Sequence, residues 1–180
     1  MTVSCPLDCE YLLQAREHER PVGIDPEHVP NRDIDVSERI LRQNEPLVYF
    51  MGKALGQAMM TTRGAVDSDA REALESLIRT YRTLQSGVYY ESRPDNPVAG
   101  EIYGKAQQAL AEFRRRETQE SGMTKTRDAH VLATLVYFQR VALNQNNSRP
   151  RGRGFLSVLV NLYGAPAAPA GTSESALILP

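Results

Sequence analysis

Asp67-Ser68-Asp69-Ala70-Arg71-Glu72-Ala73-Leu74-Glu75-Ser76-Leu77-Ile78-Arg79-Thr80-Tyr81-Arg82-Thr83-Leu84 carries the plainest helical signature in the chain. Ala70, Ala73, Leu74, Leu77, Ile78, Tyr81 and Leu84, with Val88 one turn further on, recur at intervals of three and four. On a helix of 3.6 residues per turn they form one apolar stripe, which must be buried against another element. Asp67 and Ser68 stand where N-caps belong, because their side-chain oxygens can accept from amides the first helical turn leaves without partners.

The same period extends outward in both directions. Upstream, Leu47, Phe50, Met51, Ala54, Leu55, Ala58 and Met59 follow Pro46 and stop before Gly64. Downstream, Ser92-Arg93-Pro94-Asp95-Asn96-Pro97 is a breaker with capping residues and a proline suited to a first helical turn. A third stripe follows: Val98, Ile102, Ala106, Ala109, Leu110 and Phe113. Gly122 ends it, Thr124 or Thr126 offers a cap, and His130, Val131, Leu132, Leu135, Tyr137, Phe138, Val141 and Ala142 make a fourth helix, apolar enough to be the most buried.

Shorter pieces flank these four. Asp35 and Glu38 have capping-box spacing, with Ser37 a competing cap, ahead of a short turn through Ile40 and Leu41 that Pro46 breaks or restarts. Phe155 to Tyr163 reads as a short apolar helix. A first short helix starts at Cys5 or Pro6 and runs to Arg16, and a proline-rich arm from Pro21 to Asp35 lies over the domain. No alternating stretch is long enough for a strand. The sequence therefore predicts an all-α fold: four long helices in a bundle, short flanking helices at both ends and a flexible C-terminal tail. Residues 1–34 form the cysteine-bearing helix and arm, 35–164 the bundle, and 165–180 a Pro-, Ala- and Ser-rich tail.

Composition bounds the function. With 41% hydrophobic and 24% charged residues over 180 positions, the chain is an ordinary globular protein with one core. Its nearly unbroken apolar run from Phe155 to Leu162, interrupted by Ser157 and Asn161, is far short of the ~18 residues a membrane span needs. Met1 to Asp8 show neither the basic nor the apolar part of a secretory signal, which predicts a cytoplasmic protein. Net charge is −1, so nucleic-acid binding is disfavoured; the excess of arginine over lysine fits GC-rich, bacterial-like coding.

Cys5 and Cys9, the only cysteines, sit one helical turn apart near a predicted helix N-terminus. That spacing lets two thiolates share zinc or iron, completed by His28, a carboxylate or a second chain, or act as a redox pair. C-x3-C-x8-H-x9-H matches no established zinc spacing, and packing of two small apolar-behaving residues ranks first among the readings. Gly52-Lys53 lacks the flanking residues of a phosphate-binding loop. Its echo, Gly52-Lys53-Ala54 against Gly104-Lys105-Ala106, reads as accidental. His130 reads as a structural histidine.

Two weaker features remain. Ser148 to Gly154 is a cationic loop opening a helix, whose Arg149, Arg151 and Arg153, with the amides after Gly154, have the chemistry of an anion site. Tyr89 and Tyr90 either form an exposed contact patch for a partner or close the bundle end. No nucleophile–base–orienter set, metal quartet or nucleotide loop appears in the sequence. The functional expectation is a helical protein-interaction or accessory-subunit module, binding a protein partner or its own copies, with metal or thiol chemistry at Cys5 and Cys9 as the alternative.

Overall fold

The computed structural model describes residues 29–146 and 149–164. Among these residues there are six helices and no strand: α1 (Glu38–Gln43), α2 (Glu45–Thr61), α3 (Asp67–Gln85), α4 (Pro97–Ser121), α5 (Asp128–Asn144) and α6 (Gly154–Tyr163). No described helix is long and apolar enough to cross a membrane. The four long helices α2–α5 follow the four stripes, and their apolar faces meet in one core. There α3 packs on α4 and α5, and α2 packs on α4 and α6. Short α1 bridges α5 and α2. Met51, Leu55, Leu74, Leu77, Ile102, Leu132, Leu135 and Phe138 are completely buried. Truncating any one of the leucines to alanine removes buried area and leaves a cavity, at about 2–5 kcal/mol.

The predicted ends move where tertiary contacts intervene. Val88 does not extend the α3 stripe. The helix stops at Gln85 because Gly87 takes a left-handed φ of 81°. The Val88 amide then turns back onto the Thr83 carbonyl (3.0 Å) and the Gly87 amide onto that of Leu84 (3.0 Å), leaving Val88 59% exposed. Nor do Asp67 and Ser68 cap α3. Asp67 is its first residue, and the carboxylate that folds back is that of Asp69, which accepts from the Val66 amide at 2.9 Å. Asp69 also accepts from Asn96 Nδ2 (2.7 Å), whose own Oδ1 caps α4 by accepting from the Val98 amide (2.9 Å). One short polar chain thus fixes the starts of two long helices.

Asp35 and Glu38 do not form a capping box either. Ser37 precedes α1, its amide donating to Asp35 Oδ1 at 2.8 Å. Pro46 restarts the helix within the first turn of α2. Thr124 and Thr126 do not cap α5, whose start closes instead on His130; Thr126 is held by Glu117 of α4 through its amide (3.1 Å) and hydroxyl (2.9 Å). The expectation that α5 is the most buried element gives way to parity with α3, whose buried face includes Ser76 and Thr80.

The end of the proline-rich arm does lie over the bundle. Asn31, with φ 54°, gives its side-chain amide to Gln139 Oε1 (2.7 Å) and takes Arg82 Nη2 (2.7 Å) on its oxygen, while its carbonyl accepts from Arg140 (2.9 Å). Arg82 also grips Asp33 with both terminal nitrogens (2.8 and 2.7 Å). The segment is therefore strapped across α3 and α5.

Candidate functional site

α2 and α4 run antiparallel. Phe50 meets Phe113 with ring centroids 5.1 Å apart at one end, and Lys105 Nζ donates to Thr61 (3.0 Å) and Thr62 (2.9 Å) at the other. Between these ends the two helices line a groove of about 1010 Å³. Its floor is small and apolar: Ala54 and Ala58 from α2, Ala109 from α4, with Phe50 at one end. Ala58 belongs also to the core, and every lining residue comes from α2 or α4, so no other described helix lines this face.

The rim is cationic. Lys53, Lys105, Arg115 and Arg116 line it against one lining carboxylate, Glu112. Glu112 accepts from Arg116 Nε (2.8 Å) and from Arg115 (2.6 Å), and these guanidinium groups, Arg116 foremost, hold its carboxyl below the usual range. Arg116 also sits over the Phe50 ring, 5.8 Å from its centroid. Lys105 spends its three protons on Thr61, Thr62 and Glu101 (2.6 Å), which keeps Glu101 ionised to lower pH and pins that end of the groove. The pairs around Glu112 are exposed and interchangeable, so an incoming carboxylate can replace Glu112 at small cost.

Two smaller hollows flank this groove. One of about 620 Å³ lies between the end of α2 and α6, with Met59, Met60 and Leu156 below and Arg63 and Arg153 at its edge. The other, about 400 Å³, lies between α3 and α4 around Tyr81, Tyr89, Gln107 and the Arg114–Asp128 pair (2.6 Å). Tyr103 stands behind it with its hydroxyl shared among Thr80 (3.3 Å), Gln107 (2.7 Å) and Glu91 (3.4 Å). Burial pushes the phenols of Tyr81 and Tyr103 up, so both stay neutral at ordinary pH.

Cys5, Cys9 and His28 lie outside the described residues. Among the described ones no group of three or more His, Cys, Asp or Glu side chains is placed to hold a metal ion. Arg149, Arg151 and Arg153 are exposed, but the amides expected to serve with them are occupied: Asp67 accepts from Phe155 (3.0 Å) and Leu156 (3.3 Å). The anion at that helix start is supplied by the chain itself. Tyr89 and Tyr90 are 72% and 64% exposed on the loop after α3 and do not close the bundle end. His130 Nδ1 accepts from the Arg127 amide at 3.4 Å, a local bond at the start of α5.

The groove residues were missed as a site, and the one signal in the sequence was the repeated Gly-Lys-Ala, which sets Lys53 and Lys105 on facing helices. No family model matches the chain, and neither a curated protein nor a solved structure is similar enough to be a relative.

Proposed function

We propose that this chain is a helical protein-binding module, an accessory subunit whose work is docking, with the α2/α4 groove as its docking face. The observation that carries the reading is the uncovered alanine floor between two rigid helices, bordered by charge. Small residues let a partner helix approach to about 8–10 Å, the interaxial distance of packed helices. The charged border gives orientation and selectivity. Function on an all-α scaffold has to be argued from such a face, because the fold alone specifies none.

Filling the floor tests it. Ala54→Phe and Ala109→Phe place a ring in the groove from half-buried positions, and far-UV circular dichroism checks that the bundle persists. The wild-type chain should hold a partner in its native extract as a complex of defined stoichiometry by light scattering, and both variants should lose it. A complex retained by both variants, or a wild-type chain that stays a partnerless monomer, refutes the proposal.

A further inference from the structure

Resting on that docking reading, we infer that the occupant of the α2/α4 groove is an acidic amphipathic helix of another protein. Length comes first. The lining residues span Tyr49 to Thr61 on α2 and Lys105 to Arg116 on α4, about 18 Å at 1.5 Å per residue, which accommodates a little over three helical turns. An extended peptide gains little here, since both walls are helices whose backbone groups bond internally and offer no sheet edge to pair with. A helix with small and aliphatic residues on one face fits the alanine floor.

Charge comes second. The chain as a whole is net −1, yet this face gathers Lys53, Lys105, Arg115 and Arg116 against Glu112 and, just outside, Glu101, leaving a net +2. Arg115 and Arg116 are 65% and 58% exposed and stand at the Phe50 end, while exposed Lys53 stands midway along α2. Carboxylates on the flanks of an incoming helix meet cations on both walls. A second copy of the chain docked face to face would set +2 against +2 and be repelled. Single-stranded nucleic acid stacks successive bases on open rings, and of the two lining rings Phe50 is closed in by Phe113 and Arg116, which leaves Tyr49 alone, at the groove's end, with no second platform beside it.

The test titrates the full chain with three fluorescent probes and reads anisotropy. The probes are a peptide of about 18 residues with leucine and alanine on one helical face and glutamate elsewhere, its lysine-for-glutamate counterpart, and a uridine-rich RNA of similar charge. The acidic peptide should bind best. K53E/R115E/R116E, all on exposed positions and checked for fold by circular dichroism, should weaken it at least tenfold and reverse the preference. Raising salt from about 0.05 to about 0.5 M should weaken it further. Preference for the basic peptide, abolished by Ala109→Phe, overturns the acidic occupant and leaves the groove as a docking face. Preference for RNA, abolished by the triple variant, overturns both. Failure of all three probes overturns the acidic helix, while the complex retained or lost in the floor-filling variants decides the docking reading separately.

Discussion

Asp67→Ala probes the least expected contact in the structure. Asp67 is 4% exposed and serves two elements: its amide donates to the Gly152 carbonyl (3.0 Å), and its carboxylate receives the Phe155 and Leu156 amides that open α6. Alanine keeps the first bond and loses the other two. An N-cap removed from a helix costs about 0.5–2 kcal/mol, and a buried amide left without an acceptor about 1–3 kcal/mol. Since Leu156 is only half-buried and water can serve it, the sum settles near 2–3 kcal/mol. At about 3 °C per kcal/mol for a chain of this size, that lowers Tm by about 6–9 °C. Urea and thermal unfolding followed by circular dichroism measure the global effect, and hydrogen exchange over residues 154–163 shows whether α6 is the part released. Asp67→Asn keeps one acceptor and should cost roughly half as much. The pH dependence has a definite sign. Burial pushes the Asp67 carboxyl above its ordinary value of 3.8, against the opposing pull of the Phe155 and Leu156 amides. The folded protein therefore holds this proton more tightly than the unfolded chain, and Asp67 contributes more to stability as pH falls through its folded pKa. The gap between wild type and Asp67→Ala should widen between pH 7 and pH 4. A cost under about 0.5 kcal/mol, or unchanged protection of α6, refutes the capping role.

Other outcomes follow from the same geometry. Gly52→Ala puts a Cβ 2.5 Å from the Tyr163 ring, so the ring, packed edge-on to Phe138 and Tyr49, must move; overpacking of about 1–3 kcal/mol should appear in urea unfolding, with loss of near-ultraviolet tyrosine ellipticity. Asn31→Ala loses the bonds to Arg82 and Gln139 and puts at φ 54° a residue less tolerant of the left-handed region than asparagine, so amide exchange over 29–36 should rise while the core stays protected; Asn31→Gly, which loses the same bonds but adopts this φ freely, should fall between. Acid should loosen this strap by the opposite sign to Asp67. The Arg82 guanidinium lowers the Asp33 carboxyl, whose contribution is complete above the unfolded value of 3.8 and disappears as pH falls through the folded value, so exchange over 29–36 should accelerate near pH 3 before α6 opens.

The helices were legible because their signal is short-range. Three-and-four spacing in the segments now seen as α2 to α5 is set by residues within two turns of each other, and packing reinforced it. Helix ends were less legible because a cap is a competition. Asp67 has the right side chain at the right place for α3, yet α6, about 88 residues away in sequence, takes the carboxylate, and Asp69 substitutes for it. Asp35, Thr124 and Thr126 were read as caps by the same local rule. Ser37 and Glu117 hold two of them instead. Val88 failed for another reason: the stripe continued by period alone, while Gly87 supplied a left-handed φ that ends a helix at almost no cost.

The groove was illegible for a reason that also explains its chemistry. Sequence reading weighs rare, reactive residues, and here those are Cys5, Cys9 and His28, none of which the described residues include. The groove is built from alanine, lysine and arginine, which on any single helix read as stripe edge or solvated face. Ala54 and Ala109 fall in the α2 and α4 stripes, yet both are only half-buried. That difference is the trace the sequence held. A stripe position that packs against the domain's own core gains about 0.8 kcal/mol for each additional methylene, which favours leucine or isoleucine there, as at Leu55 and Leu110. An alanine at the stripe's edge forgoes that gain within its own chain and admits the backbone of another. Two such alanines, Ala54 on α2 beside Lys53, unpaired among the described residues, and Ala109 on antiparallel α4, where Lys105, Arg115 and Arg116 share Glu101 and Glu112, are the pattern on which the proposed seat for a partner helix rests.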